Sequence, residues 1–99
     1  MKVLVALSSQ EHFQTVFKFL NPELEVTFAL ENLLSDSKIS YKNKDYDVLT
    51  IISVEKFLRS ESFEKILLFT SQNSNFEKAL LKFGVKPEKI FNLNFVIEQ

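Results

Sequence analysis

Two hydrophobic patterns alternate along the chain. The first is a short and nearly continuous apolar run, found at residues 3–7, 48–52 and 66–69. These runs are rich in branched and aromatic residues and have no alternating polar face, which is typical of strands buried on both faces in a mainly parallel sheet. The pattern therefore predicts three buried strands, each followed directly by a Ser or Thr residue.

The second pattern has helical spacing and occurs over residues 10–20. Its apolar side chains recur at intervals of three and four residues, so they share one helix face. They are Phe13, Val16, Phe17 and Leu20. Ser8 and Glu11 have the spacing of a capping box, and Asn21 with Pro22 ends the helix.

The same spacing returns over residues 76–83. The apolar positions are Phe76, Ala79, Leu80 and Phe83. Ser74 and Glu77 form a second possible capping box, and Gly84 supplies a left-handed residue that ends the helix. Pro87 then prevents its continuation.

Weaker patterns complete the element order. We expect a strand over residues 24–30, a short helix at Leu30, Leu33 and Leu34, and a solvated loop over residues 35–47. In that loop three lysines, at positions 38, 42 and 44, precede Asp45 and Asp47. A third helix is expected from Val54 to about Ser62. The alternation over residues 91–97 indicates a last strand at a sheet edge.

The order of these elements predicts one α/β domain over residues 1–99. It is a three-layer α/β/α sandwich with a five-stranded, mainly parallel sheet of the flavodoxin-like type. Strand order 2-1-3-4-5 would bring Ser8 and Ser9 beside Ser53, whereas order 3-2-1-4-5 would bring them beside Thr70 and Ser71. We favour the first order and keep the second open.

Composition excludes several classes of function. The 99 residues contain no Cys and a single His, which removes disulfide scaffolds and thiolate metal sites, so we expect no metal and no cofactor. The net charge of −1 gives no field that would attract nucleic acid. The first apolar run is too short for a signal peptide or a membrane span, which predicts a cytoplasmic protein without a membrane partner.

Hydroxyl and amide side chains follow the predicted strands. In open parallel sheets, ligands bind outside the carboxyl ends of the strands, so these residues are candidates for a phosphate or small polar ligand. They are Ser8, Ser9, Gln10, Ser53, Thr70, Ser71 and Asn73. The same residue types also cap helices, and that interpretation stays open. Because the only Gly is Gly84, no glycine-rich nucleotide motif exists.

A catalytic set is not predicted. His12 lies in the first turn of the first helix, near Ser8 and Ser9, and is a possible general acid or base. No GxSxG sequence surrounds either serine, and no carboxylate is clearly placed to orient the imidazole. We therefore predict that the chain is not an enzyme.

Several segments together resemble the receiver domain of response regulators. They are LEVTFALENLL at residues 24–34, YDVLTII at residues 46–52 and ILLFTS at residues 66–71. The resemblance implies a flavodoxin-like fold and a role in signal transduction. It would place the family's magnesium-binding acidic pair at Ser8 and Ser9, its phosphoacceptor at Ile52 or Ser53, and its Lys-Pro pair at Asn94 and Phe95. Only Thr70 or Ser71 matches the family, which implies a degenerate pseudo-receiver without a phosphorylation site.

Two functions follow as hypotheses. The first is a non-catalytic regulatory or protein-interaction module that binds a protein partner or a second copy through its last helix and edge strand. That surface comprises Lys78, Leu81, Lys82, Asn94, Phe95 and Val96. The alternative is a domain that binds phosphate or a nucleotide-sugar with the loops after strands one and four, because residues 47–71 and GVKPEKIFNL also resemble nucleotide-sugar-handling Rossmann-like domains.

Overall fold

A single sheet with helices on both faces organises the chain. The computed structural model describes residues 2–19, 21, 23–60, 63–69 and 76–92. In chain order, its elements are β1 (Lys2–Leu7), α1 (His12–Phe19), β2 (Glu25–Leu30), β3 (Ser37–Tyr41), β4 (Lys44–Leu49), α2 (Ile51–Ser60), β5 (Lys65–Phe69), α3 (Phe76–Lys82), a 3₁₀ turn (Pro87–Lys89) and β6 (Ile90–Asn92). The predicted mixed α/β class is confirmed.

The sheet has six strands in the order β3-β4-β2-β1-β5-β6. Strands β4, β2, β1, β5 and β6 run parallel, and β3 is antiparallel to β4. The prediction of five strands in the order 2-1-3-4-5 is therefore wrong. When the predicted strands are numbered along the chain, their observed order is 3-2-1-4-5, with β3 added at one edge.

The polarity of β4 explains this order. The strand begins at Lys44, and its exposed residues Asp45 and Asp47 alternate with buried Tyr46 and Val48. Only its last residues pair with β2. A strand with charged residues along its first half is poorly suited to the place beside β1, where both faces of the sheet are covered.

A β-hairpin replaces the solvated loop predicted over residues 35–47. The short helix predicted at Leu30, Leu33 and Leu34 is also wrong, because β2 ends at Leu30 and a turn follows it. Lys42 and Asn43 both have positive φ, 51° and 65°, the combination that a two-residue type I′ turn requires. Tyr41 packs on the ring of Phe17 with centroids 4.2 Å apart. The hairpin is held to the sheet because one of its faces is aromatic, although its sequence is largely polar.

Helix α2 begins inside the segment predicted as the third strand. Thr50 acts as its N-cap: Thr50 Oγ1 accepts the amide of Ser53 at 3.2 Å, and the Thr50 carbonyl accepts the amide of Val54 at 2.9 Å. The isoleucines at positions 51 and 52 therefore open a helix rather than end a strand.

Each face of the sheet carries its own hydrophobic cluster. Val3, Val5 and Leu7 of β1 belong to the cluster that includes α1, whereas Leu4 and Ala6 belong to the cluster that includes residues of α2 and α3. Both sets are buried because β1 lies in the middle of the sheet. Alternate side chains of β1 thus point to opposite faces of the sheet and belong to two different cores, as its continuous apolar run predicts.

The predicted end of helix α3 is confirmed. Gly84 has φ 94°, its amide donates to Leu81 O at 3.1 Å, and the amide of Val85 donates to Leu80 O at 3.1 Å. These two bonds form a Schellman motif. Ser74 of the predicted capping box lies outside the described residues, as does most of the last strand predicted over residues 91–97.

A crevice at the carboxyl edge of the sheet

Strands β1, β2 and β5 end at the same level. Leu7 is in register with Leu30 on one side and with Phe69 on the other. The amide of Glu31 donates to Leu7 O at 2.9 Å, and the amide of Ser8 donates to Phe69 O at 3.3 Å. β2 lies on one side of β1 and β5 lies on the other, so the connections before and after this point of the sheet run in opposite directions. The topological switch point of the sheet is therefore at the carboxyl end of β1.

The observed order separates the predicted site residues into three groups. Ser8, Ser9 and Gln10 line a depression of about 460 Å³ at the switch point. Ser53 does not join them, because β2 lies between β4 and β1, so the expectation that Ser53 lies beside Ser8 and Ser9 is wrong. The remaining candidates lie outside the described residues: Thr70, Ser71 and Asn73.

Capping accounts for only part of the loop after β1. Ser9 Oγ accepts the amide of Glu11 at 3.3 Å, and the Ser9 carbonyl accepts the amide of His12 at 3.2 Å. The predicted capping box of Ser8 with Glu11 does not form, because Ser8 is still hydrogen-bonded to β5. Within the described ranges, the amides of Ser9 and Gln10 have no hydrogen-bond acceptor.

Ser8 and His12 lie near one another without a close hydrogen bond. Ser8 Oγ is 3.5 Å from His12 Nδ1, which is long for a hydrogen bond. No hydrogen bond joins the His12 ring to a carboxylate in the part of the chain that the structure describes. Among the described residues, no carboxylate therefore occupies the position of the orienting acid that accompanies an activated serine.

The loop after β2 forms the other wall of the depression. Glu31 follows β2 directly, Asn32 has a positive φ of 65°, and Leu33 packs against the core cluster that includes α1. Leu34, by contrast, is 99% exposed. Glu31 and Asn32 line the depression but were not predicted from the sequence, although an acidic residue at the end of a predicted strand was a usable signal.

Asp36 connects this loop to helix α2. Its Oδ1 accepts the amide of Thr50 at 2.9 Å, and its Oδ2 accepts the hydroxyl of Ser53 at 2.6 Å. These bonds, the Ser53 hydroxyl first, lower the pKa of the exposed Asp36 carboxyl below its usual value, and Lys56 adds a weaker favourable charge. Ser53 is thus part of the start of α2 rather than of the crevice.

The predicted partner surface can be located only in part. Lys78, Leu81 and Lys82 are exposed on α3, and the Leu81 side chain retains 42% of its surface. Asn94, Phe95 and Val96 lie outside the described residues. The edge position of β6 agrees with the predicted last strand as far as Asn92.

Comparisons with known proteins add no relative to this description. The chain matches no protein-family model, no curated protein and no solved structure. Among the described residues, no three His, Asp or Glu side chains come together as metal ligands would. None of the described helices is long and apolar enough to cross a lipid bilayer.

Proposed function

We propose that the chain is a small-ligand-binding α/β domain whose site is the crevice at the carboxyl end of β1. The observation that carries the proposal is the strand order, because in open α/β sheets ligands bind at the switch point. This order places the carboxyl ends of β1, β2 and β5 side by side.

The lining of the depression supports this function. Gln10 and Asn32 supply side-chain amides and Ser8 supplies a hydroxyl. Among the described residues, the backbone amides of Ser9 and Gln10 have no acceptor. The depression has a volume of about 460 Å³ and is largely open to solvent. A polar ligand would replace water at these groups without breaking the bonds that start α1.

The experiment is a thermal-shift screen of the whole chain with inorganic phosphate, AMP, UDP-glucose and adenosine at millimolar concentration. A ligand at a hundred times its dissociation constant stabilises the folded state by about 2.7 kcal/mol, which for a domain of this size raises Tm by roughly 10 to 20 °C. Gln10→Trp replaces one of the lining amides with a larger apolar ring and should abolish the shift. Lys78→Trp, on the exposed face of α3, is the matched control and should leave it unchanged.

Absence of a shift with every compound would reject the proposal. A shift that survives Gln10→Trp would also reject it, because the ligand would then bind elsewhere.

A second candidate, a regulatory protein-interaction module, is favoured by exposed apolar side chains near the same edge. Leu34 is 99% exposed, and Ile52 in the first turn of α2 is 67% exposed. Asp36 connects their two segments. The receiver resemblance remains a prediction, and the observed strand order is not the 2-1-3-4-5 order of flavodoxin-like domains.

Sedimentation velocity tests this second function. A protein-interaction module that binds its own copy should sediment as a dimer at tens of micromolar, and a Leu34→Ser/Ile52→Ser double variant should sediment as a monomer. If the wild-type chain sediments as a monomer, self-association through this surface is rejected.

A further inference from the structure

We infer that the free edge of β3 pairs with the β3 edge of a second copy of this chain, antiparallel and centred on Ile39. In this dimer each Lys38 lies between carboxylates of both copies. The surface is separate from the proposed ligand site, and the inference does not depend on ligand binding. The hairpin that carries this edge was not predicted from the sequence.

Strand β3 has a neighbouring strand on one side only. It stands at the end of the sheet order, and among the described residues only β4 pairs with it. Its five residues make a longer open edge than β6, which is described over three. An open edge presents amide and carbonyl groups that a strand of another chain can pair with.

The hairpin turn determines which backbone groups of β3 point outwards. The turn at residues 42–43 is of the two-residue type I′, whose hydrogen bond joins Tyr41 to Lys44. From that pair onwards, hydrogen-bonded and non-hydrogen-bonded pairs alternate along the two strands. The amides and carbonyls of Lys38 and Ser40 therefore point away from β4, towards the open edge.

One antiparallel register satisfies these outward groups in both copies. When two β3 strands are centred on Ile39, Lys38 of one copy lies opposite Ser40 of the other, and the two residues exchange both of their backbone hydrogen bonds. The two-fold symmetry of the dimer repeats this pair on the other side of Ile39. A register centred on Lys38 would instead place two lysines directly opposite each other, which is unfavourable.

The charges on the polar face of the hairpin fit the register centred on Ile39. Lys38 lies opposite Asp47 of its own chain, and Ser40 lies opposite Asp45. The Ser40 hydroxyl donates to Asp45 Oδ1, which holds that carboxylate towards the edge. Lys38 of the second copy, placed beside Ser40, extends towards the same carboxylate. Each Lys38 ammonium, which forms no ion pair with another described residue, thus gains an acid on both sides.

The other face of the hairpin supplies an apolar contact. Ile39 is half-buried against the core cluster that includes α1, and it lies on the two-fold axis of the inferred dimer. Strands approach most closely at a non-hydrogen-bonded pair, where the Cα atoms are about 4.5 Å apart. The two Ile39 side chains therefore cover each other, which removes their exposed apolar surface from water.

Cross-linking tests the register. The chain has no Cys, so the thiol of Ile39→Cys can form a protein disulfide only with a second copy. A Cα–Cα distance of about 4.5 Å is within the range of a disulfide, so oxidised glutathione should convert most of this variant into a covalent dimer on a non-reducing gel. Ser37→Cys, on the same strand and face, is the matched control. It should stay monomeric, because its two Cα atoms would lie roughly 14 Å apart.

Sedimentation velocity of the whole chain, from tens to hundreds of micromolar, tests the charges. The wild type should dimerise. Lys38→Glu and Asp45→Lys should each raise the dissociation constant by about tenfold, because each places like charges side by side twice in the dimer. The double variant should return towards the wild-type value. Lys82→Glu, the same change on α3, is the control and should leave the constant unchanged, and urea unfolding checks that each variant is folded.

The inference is overturned by a wild-type monomer over this range, by equal cross-linking of Ile39→Cys and Ser37→Cys, or by a double variant as monomeric as the single ones. A dimer that is lost in Leu34→Ser/Ile52→Ser but kept in Lys38→Glu would also overturn it, because the interface would then be the other exposed surface. Ligand binding in the crevice is tested separately by the thermal-shift screen.

Discussion

Removing the Asp36 carboxylate should weaken the connection between the β3–β4 hairpin and helix α2. In Asp36→Ala, the amide of Thr50 and the hydroxyl of Ser53 lose their acceptors at 2.9 and 2.6 Å. A capping carboxylate contributes about 0.5 to 2 kcal/mol. Because Asp36 is exposed, we expect a loss of about 1 kcal/mol at pH 7 and a decrease in Tm of roughly 5 °C.

The loss should depend on pH in a defined direction. The pKa of Asp36 is lowered in the folded protein below the usual value of an aspartate, chiefly by the Ser53 hydroxyl. Its stabilising effect is therefore present above the unfolded-state pKa and is lost as the pH falls through the lower folded-state pKa. The difference between Asp36→Ala and wild type should persist from pH 7 to about pH 5 and shrink below about pH 4.

Urea unfolding at pH 7, 5 and 2.5 measures this dependence. Glu23→Ala is the control, because it removes an exposed carboxylate whose oxygens have no partner in the described residues. An Asp36→Ala variant as stable as wild type at pH 7 would refute the connection. A loss of the same size at pH 2.5 would refute the role of its charge.

Two further predictions concern the core and the end of α3. Phe28 is 0% exposed, and its ring centroid lies 5.1 Å from that of Phe13 and 5.5 Å from that of Phe17. Phe28→Ala should therefore lower the free energy of unfolding, measured with urea, by about 3 to 5 kcal/mol. A loss below about 1 kcal/mol would contradict this packing. Gly84→Ala should cost only about 1 kcal/mol in the same assay, because an added Cβ meets no atom within 4 Å and only the positive φ of 94° is unfavourable. A stabilised Gly84→Ala would show that this backbone angle is not adopted.

Some elements could be predicted from local sequence patterns alone. The apolar run of β1, the helical spacing around Phe13 and Phe17, and the left-handed position of Gly84 each depend on neighbouring residues, and each was predicted. The hairpin was missed because Asp45 and Asp47 suggested a solvated loop, although Tyr46 and Val48 between them are buried. Their period of two was the available signal.

The strand order and the site could not be predicted from local patterns, because both depend on contacts between distant parts of the chain. Two β-branched isoleucines after Thr50 favour a strand locally, but capping by Thr50 and Asp36 starts a helix there. Ser8–Gln10 could be predicted from the rule that ligands bind at strand ends. Glu31 enters the site only through the pairing of β2 with β1, and Asp36 binds residues 14 and 17 positions away.

Binding of a small ligand at the carboxyl end of β1 is open to a residue-by-residue measurement. In an amide ¹H–¹⁵N NMR titration of the whole chain with inorganic phosphate, AMP, UDP-glucose and adenosine, each amide reports its own surroundings. At least one of these compounds should cause concentration-dependent shifts of the Ser8, Ser9 and Gln10 amides and of residues 31–34. Shifts confined to α3 and β6, or no shift with any of the compounds at millimolar concentration, would refute binding at this site.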